Sequence, residues 1–204
     1  MIPVAVILYE DQRGPQKQFG LHNLVVACVS DDLGADVYAL KLDQKLSGRP
    51  MKGVSKLLAS CRQDVRRLGP QGQPVFALID NDAIREQMKH EGLSPSADEA
   101  AVIRAIKAPE RCKAPDQLEV LLLVENTETI LAAAAECDPE IAAVAVEQAR
   151  RKDTNARDKI LNHVAWGLGR AVRDCVRSRV PALARLVERL SALVAAERDG
   201  APRG

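Results

Sequence analysis

Three short, unbroken apolar runs constrain this chain more than anything else in it: residues 4–9 (VAVILY), 75–79 (VFALI) and 120–124 (VLLLV). None alternates apolar with polar positions, so none suits a sheet with one wet face. Each has the length of a strand and is too short for a buried helix. Runs of this kind belong to parallel strands covered on both sides. Between them the apolar spacing changes to threes and fours, first at Leu21, Leu24, Val25 and Cys28, then at Val54, Leu57, Leu58, Cys61, Val65 and Leu68 ahead of Gly69 and Pro70. The alternation predicts an α/β fold on a mainly parallel, doubly wound sheet flanked by helices. Residues 36–42 alternate more strongly and predict a fourth strand nearer an edge.

After Asp80 the pattern predicts a helix to about Lys89, a break at residues 92–95, and a second helix ending before Pro109. Beyond Val124 the chain is alanine-rich and reads as helical to its end. The clearest stripe, Leu183, Leu186, Val187, Leu190, Leu193 and Val194, follows Pro181, a favourable first-turn residue. It reads first as core and second as a seam between copies of the chain. The expected organisation is a single domain over residues 1–199, with an α/β part at 1–131, an α-helical C-terminal part at 132–199, and a frayed tail at 200–204.

Composition narrows the function. With 204 residues, 47% hydrophobic and 28% charged, the chain is large enough to bury a real core, which excludes disorder. One Trp, two Tyr and two Phe are too few for a platform that stacks successive bases. A net charge of +1 argues against a generally basic coat. Cys28, Cys61, Cys112, Cys137 and Cys175 are odd in number and never spaced as CxxC, so they signal neither a disulfide framework nor a zinc site, and a reducing cytoplasm is the expected location. The apolar N-terminus is too short to span a bilayer and has no signal-peptide pattern, so no membrane association is expected.

All three strong runs end in acids. The first leads into Glu10 and Asp11, the second into Asp80, Asn81 and Asp82, the third into Glu125 with Glu128 beyond. Ligands of open parallel sheets bind at the carboxyl ends of the strands, where these groups from distant parts of the chain can converge. Gathered carboxylates repel unless a cation sits among them, and hard oxygen donors point to Mg²⁺ or Mn²⁺. The plainer alternative stays open, because Asp and Asn after a strand also serve as turn and helix-cap residues.

A buried first strand ending in Glu10 and a later strand ending in the Asp80-x-Asp82 pair resemble the Toprim domain of topoisomerases, primases and the overcoming-lysogenization-defect nucleases. The resemblance covers roughly residues 1–131. It implies a Toprim-like fold and a metal-dependent nuclease in which Glu10, Asp80 and Asp82 hold Mg²⁺ or Mn²⁺, with Glu125 similar to the additional acid of the nuclease branch. Glu10 would also act as general acid or base, and Lys159 would match the late lysine that stabilises transition-state charge. The chain departs from the pattern at Asp11, where the family usually has glycine, and at Gly14, where the nuclease branch often has a second glutamate.

Charge is unevenly distributed. Residues 110–140 carry about −6 and residues 150–179 about +6. In the basic stretch Lys159, His163, Trp166, Arg170, Arg173 and Arg177 fall on one arc of a single expected helix, opposite Leu161, Val164, Leu168, Val172 and Cys175. Such a ridge suits the phosphates of a nucleic acid, with DNA favoured. It equally suits a solvated face or pairing with the acidic stretch. Trp166 reads as stacking a base, lying beneath an arginine, or half-buried between helices. His22 and His163 are expected on helix surfaces and His90 near a helix end.

The leading reading is therefore a Toprim-like nuclease or nicking subunit in a phage-defence or DNA-repair setting. It would act beside a separate ATPase, since the chain contains no GxxxxGK[ST] loop. The alternative is a non-catalytic α/β subunit assembling through its C-terminal helices, including as a homo-oligomer. A third, receiver-like phosphoacceptor reading rests on Glu10, Asp11 and Asp80.

Overall fold

A computed structural model describes residues 2–10, 19–94, 96–124, 127–141 and 154–200. In chain order the elements are β1 (Ala5–Tyr9), α1 (Gly20–Leu33), α2 (Val37–Leu40), α3 (Leu42–Lys45), β2 (Leu46–Pro50), α4 (Val54–Leu68), β3 (Val75–Asp80), α5 (Asn81–Lys89) and α6 (Glu99–Lys107). They continue with β4 (Leu118–Leu123), α7 (Thr127–Cys137), α8 (Thr154–Asn162), a π-helical turn (His163–Gly167), α9 (Arg170–Arg179) and α10 (Pro181–Arg198). The expected α/β architecture is present: four parallel strands in the order β2-β1-β3-β4, flanked by helices, with a helical C-terminal region.

The unbroken apolar runs follow from burial on both sides of the sheet. Ala5, Ile7 and Tyr9 enter one core cluster, with side chains of α1 and α7 to α10; Val6 and Leu8 enter the other, with α4, α5 and α6. Five of the six stripe residues on α10 are buried in the first cluster and Leu193 packs against it, so the stripe is core of the chain itself. Among the described residues no helix is long and apolar enough to cross a membrane.

Four expectations need correction. Residues 36–42 are not a strand. Asp36 Oδ1 accepts the Tyr38 and Ala39 amides at 2.8 and 3.3 Å and so starts α2, and Lys41, at φ 53°, separates that turn from α3. Capping chemistry overrides the alternation there. The fourth strand is β2, whose LSGRP sequence has little strand propensity. It is tolerated at the sheet edge, where Pro50 lies opposite Tyr9. Gly48 is required in it, because a Cβ would stand 2.7 Å from His22 Nδ1.

The basic stretch is not one helix. It breaks into α8, the π-helical turn and α9, so its cations do not form one continuous arc. The cysteines do contain a pair: α7 packs on α9, which brings the Cα atoms of Cys137 and Cys175 to 5.9 Å and closes a disulfide. Cysteine usage therefore no longer argues for a reducing compartment. Cys28, Cys61 and Cys112 are free and buried; burial pushes the thiols of Cys28 and Cys61 up to about 12, which keeps them unreactive. Finally, His22 lies in the interior rather than on a helix surface, only 2% exposed, whereas His163 is exposed and His90 caps the end of α5.

Candidate functional site at the carboxyl edge of the sheet

The strand order creates a topological switch between β1 and β3, since the connections leave β1 for β2 on one side and reach β3 on the other. Glu10 and Asp80 stand at the carboxyl ends of these two neighbouring strands. Glu10 Oε2 accepts the Asp80 amide at 2.8 Å, and the Glu10 amide donates to the Leu78 carbonyl at 3.4 Å. The Glu10 carbonyl accepts the Gly53 amide at 2.6 Å, tying the turn that leads into α4 to the same edge. That turn has Lys52 at φ 59° and Gly53 at φ 119°, the latter a conformation suited to glycine. The Glu10 side chain is 7% exposed. Buried carboxylates need hydrogen-bond donors, and a backbone amide from the next strand supplies one.

Asp80 occupies the N-cap position of α5, yet its side chain makes no capping hydrogen bond. The capping account of this acid is therefore not what the structure contains. Asp82 is exposed in the first turn of α5, where its Oδ1 accepts the Ala83 amide at 2.8 Å. Asn81, between the two acids, donates its side-chain amide to the Val124 carbonyl at 3.2 Å and accepts Arg85 Nε at 2.9 Å. Arg85 also donates to the Ala97 carbonyl at 2.7 Å. Asn81 and Arg85 thus join the ends of β3 and β4 to α5, a role that sequence reasoning missed. Its signal was present in their spacing of four within one helix.

The other expected site residues that the structure describes are dispersed. Glu125 lies outside the described residues, as do Asp11 and Gly14. Glu128 pairs with the nearly buried Arg157 at 3.3 Å, joining α7 to α8. Lys159 is exposed on α8, whose apolar residues pack with α1 in the first cluster. Arg170 is exposed and pairs with Asp174 at 3.3 Å. Arg173 makes a bidentate pair with Asp31 at 2.6 and 2.9 Å, and Arg177 pairs with Asp32. Hydrogen bonding to Asp31 holds the Arg173 guanidinium protonated more firmly than usual. Arg179 pairs with Glu136 at 3.2 Å. Part of the basic stretch is thus matched to acids within the chain.

Among the described residues no group of three or more His, Cys, Asp and Glu is placed to hold a metal ion. The described residues of this edge therefore form no closed, all-protein metal cage. Mg²⁺, however, is commonly held by one or two carboxylates and completed by water and substrate phosphates, and carboxylates of the kind Asp80 and Asp82 carry are donors of that type. No known family model, curated protein or solved structure matches the chain.

Proposed function

We propose that the carboxyl edge at the β1 and β3 switch is a Toprim-like, divalent-cation-dependent site for phosphodiester hydrolysis. The observation that supports this reading is the Glu10 carboxylate seated on the Asp80 amide, which joins two strand-end acids 70 residues apart at one edge. Asp80, which does not cap α5, and Asp82 in the first turn of that helix stand where helix amides and dipole favour a phosphate. Their negative charges oppose a bare polyanion. A bound Mg²⁺ or Mn²⁺ would supply Lewis-acid polarisation of the phosphate and a more acidic water.

The chain's own residues have distinct parts in this scheme. Glu10 holds the two strand ends in register and is the candidate to move a proton. Asp80 and Asp82 are the candidate oxygen donors, and Asn81 fixes the adjoining end of β4. Of the basic residues assigned to nucleic-acid contact, Lys159 and Arg170 are exposed, Arg170 beside the equally exposed Asp174, and they would meet the phosphates, with DNA favoured. Arg173 and Arg177 are already engaged with Asp31 and Asp32, so their contribution to phosphate binding is smaller than the sequence alone suggests. An ATPase partner and a defence or repair setting belong to this proposal through the family resemblance only.

The test is incubation of supercoiled plasmid with Mg²⁺ or Mn²⁺, comparing the wild type with Asp80→Ala/Asp82→Ala and Glu10→Gln. The expected outcome is metal-dependent nicking that falls by at least about 100-fold in the variants, with the circular dichroism spectrum unchanged. Equal nicking by all three proteins removes the site. Absence of nicking by the wild type with either metal favours the non-catalytic subunit.

A further inference from the structure

Of the five aromatic residues, Tyr9, Phe19 and Phe76 are buried, at 1% exposure or less. The remaining two, Tyr38 and Trp166, are 83% and 52% exposed, and both line a single cavity of about 560 Å³. Leaving large rings in water forgoes the burial that the other three enjoy, so their shared position is informative. Among the described residues, the wall also includes His22, Asn23 and Val26 of α1, Asp36 and Val37 at the start of α2, and Asp43 of α3.

Both rings are carried by backbone that is held in place. The Tyr38 amide donates to Asp36 at 2.8 Å. Trp166 projects from the π-helical turn and is followed by Gly167, where a Cβ would lie 2.4 Å from His163 Nδ1 and force that ring to move. Arg173 Nη1 donates to the Ala165 carbonyl within this turn at 3.1 Å and to the Leu168 carbonyl just after it at 2.5 Å, and Asp31 in turn pairs with Arg173. Arg173 is therefore a positioning residue for Trp166.

Among the described residues that line the cavity, the charged side chains are Asp36 and Asp43, both acidic. His22, beneath them, bonds Tyr9 Oη through Nδ1 at 2.9 Å, and its burial favours the neutral ring. Aromatic faces together with carboxylates, over the apolar side chains of Val26 and Val37, form a surface complementary to an alkylated cation, whose charge is spread over methyl groups and is weakly hydrated.

We propose that this cavity binds an alkylated ammonium group, with Tyr38 and Trp166 as the aromatic contacts and Asp36 and Asp43 as the countercharges. The site is separate from the strand-end acids, and its existence does not depend on catalysis there. The same chemistry is offered by a free quaternary ammonium compound and by a trimethylated lysine side chain.

Trp166 is the only tryptophan, so its fluorescence reports on the site without labelling. Titration with choline and with acetyl-trimethyllysine amide is compared with 3,3-dimethyl-1-butanol, the neutral isostere of choline. Saturable change is expected with at least one cation, and at least about tenfold weaker binding is expected for the isostere. Tighter binding of choline assigns the free compound, whereas tighter binding of the lysine derivative assigns the modified side chain. Tyr38→Ala and Asp43→Asn, both at exposed positions, should each weaken the preferred cation by at least about fivefold without moving the thermal midpoint. No saturable change with either cation, equal affinity for the isostere, or unchanged affinity in both variants overturns the proposal.

Discussion

Helices α4, α5 and α6 cover one face of the sheet with apolar side chains, and the ionic cluster there sits toward the surface: Arg62 and Arg111 both reach Glu91 at 3.0 Å. Burial pushes the Glu91 carboxyl up, but hydrogen bonding and charge from Arg62, with the charge of Arg111, outweigh it and hold the group below its usual range. The face covered by α1 and α7 to α10 is organised differently. Beside its apolar core lie the Arg173 pair with Asp31, the buried Arg157 on Glu128, the contact of His22 with Tyr9, and the disulfide. The two layers, of which the second holds the larger apolar core, therefore differ also in how far their packing is specified by polar geometry. The cavity lined by Tyr38 and Trp166 lies on the face with these polar links.

Cross-linking gives the strongest way to probe that difference. Cys137→Ser/Cys175→Ser should lower the unfolding free energy by roughly 4 kcal/mol, as expected for opening a loop of this length. Urea denaturation of the oxidised wild type beside the variant measures it, and coincident curves would mean that α7 and α9 hold together without the bond. Next come the arginines. Arg173→Met strands Asp31 and two carbonyls in a partly buried setting and should cost about 3 kcal/mol, whereas Arg62→Met, at a half-exposed pair, should cost less than about 1 kcal/mol. Equal losses in parallel denaturant titrations would erase the contrast between the faces.

A further effect, smaller than those of the cross-link and of Arg173, is set by pH. Burial lowers the His22 pKa to about 4, against the modest opposing effect of a hydrogen bond to the Leu46 backbone. The unfolded chain consequently binds the His22 proton first as pH falls below about 6.5, and the native state is disfavoured progressively until its own imidazole titrates. About 2 kcal/mol should be lost between pH 7 and pH 5. Chemical denaturation at the two values, with NMR observation of the imidazole, checks both parts; a ring that titrates near 6.5 in the folded protein contradicts the assignment.

Three strands were legible because burial on both sides writes an uninterrupted apolar run into the chain. β2 was not, since Leu46, Ser47, Gly48, Arg49 and Pro50 make an edge strand by pairing with β1 and by leaving room for the His22 ring, neither of which is a local property. The alternation at residues 36–42 misled because it says nothing of the Asp36 cap. Acids at the strand ends were visible as residue types; at the β1 and β3 edge the Glu10 carboxylate reaches the backbone amide of Asp80. Helical spacing placed Trp166 on a cationic ridge because it assumed one continuous helix. The π-helical turn and Gly167 redirect it toward Tyr38, whose own position depended on the strand that did not form. Cys137 and Cys175, 38 residues apart, are joined by helix packing that no local spacing records.

The disulfide also alters what a break in the backbone means. Any single cut between Cys137 and Cys175 opens the chain without freeing either portion, because the sulfur bridge still spans the gap. The C-terminal helices stay tethered to the sheet domain until a reductant acts, so a nicked molecule migrates intact on a non-reducing gel and separates into two pieces only on reduction.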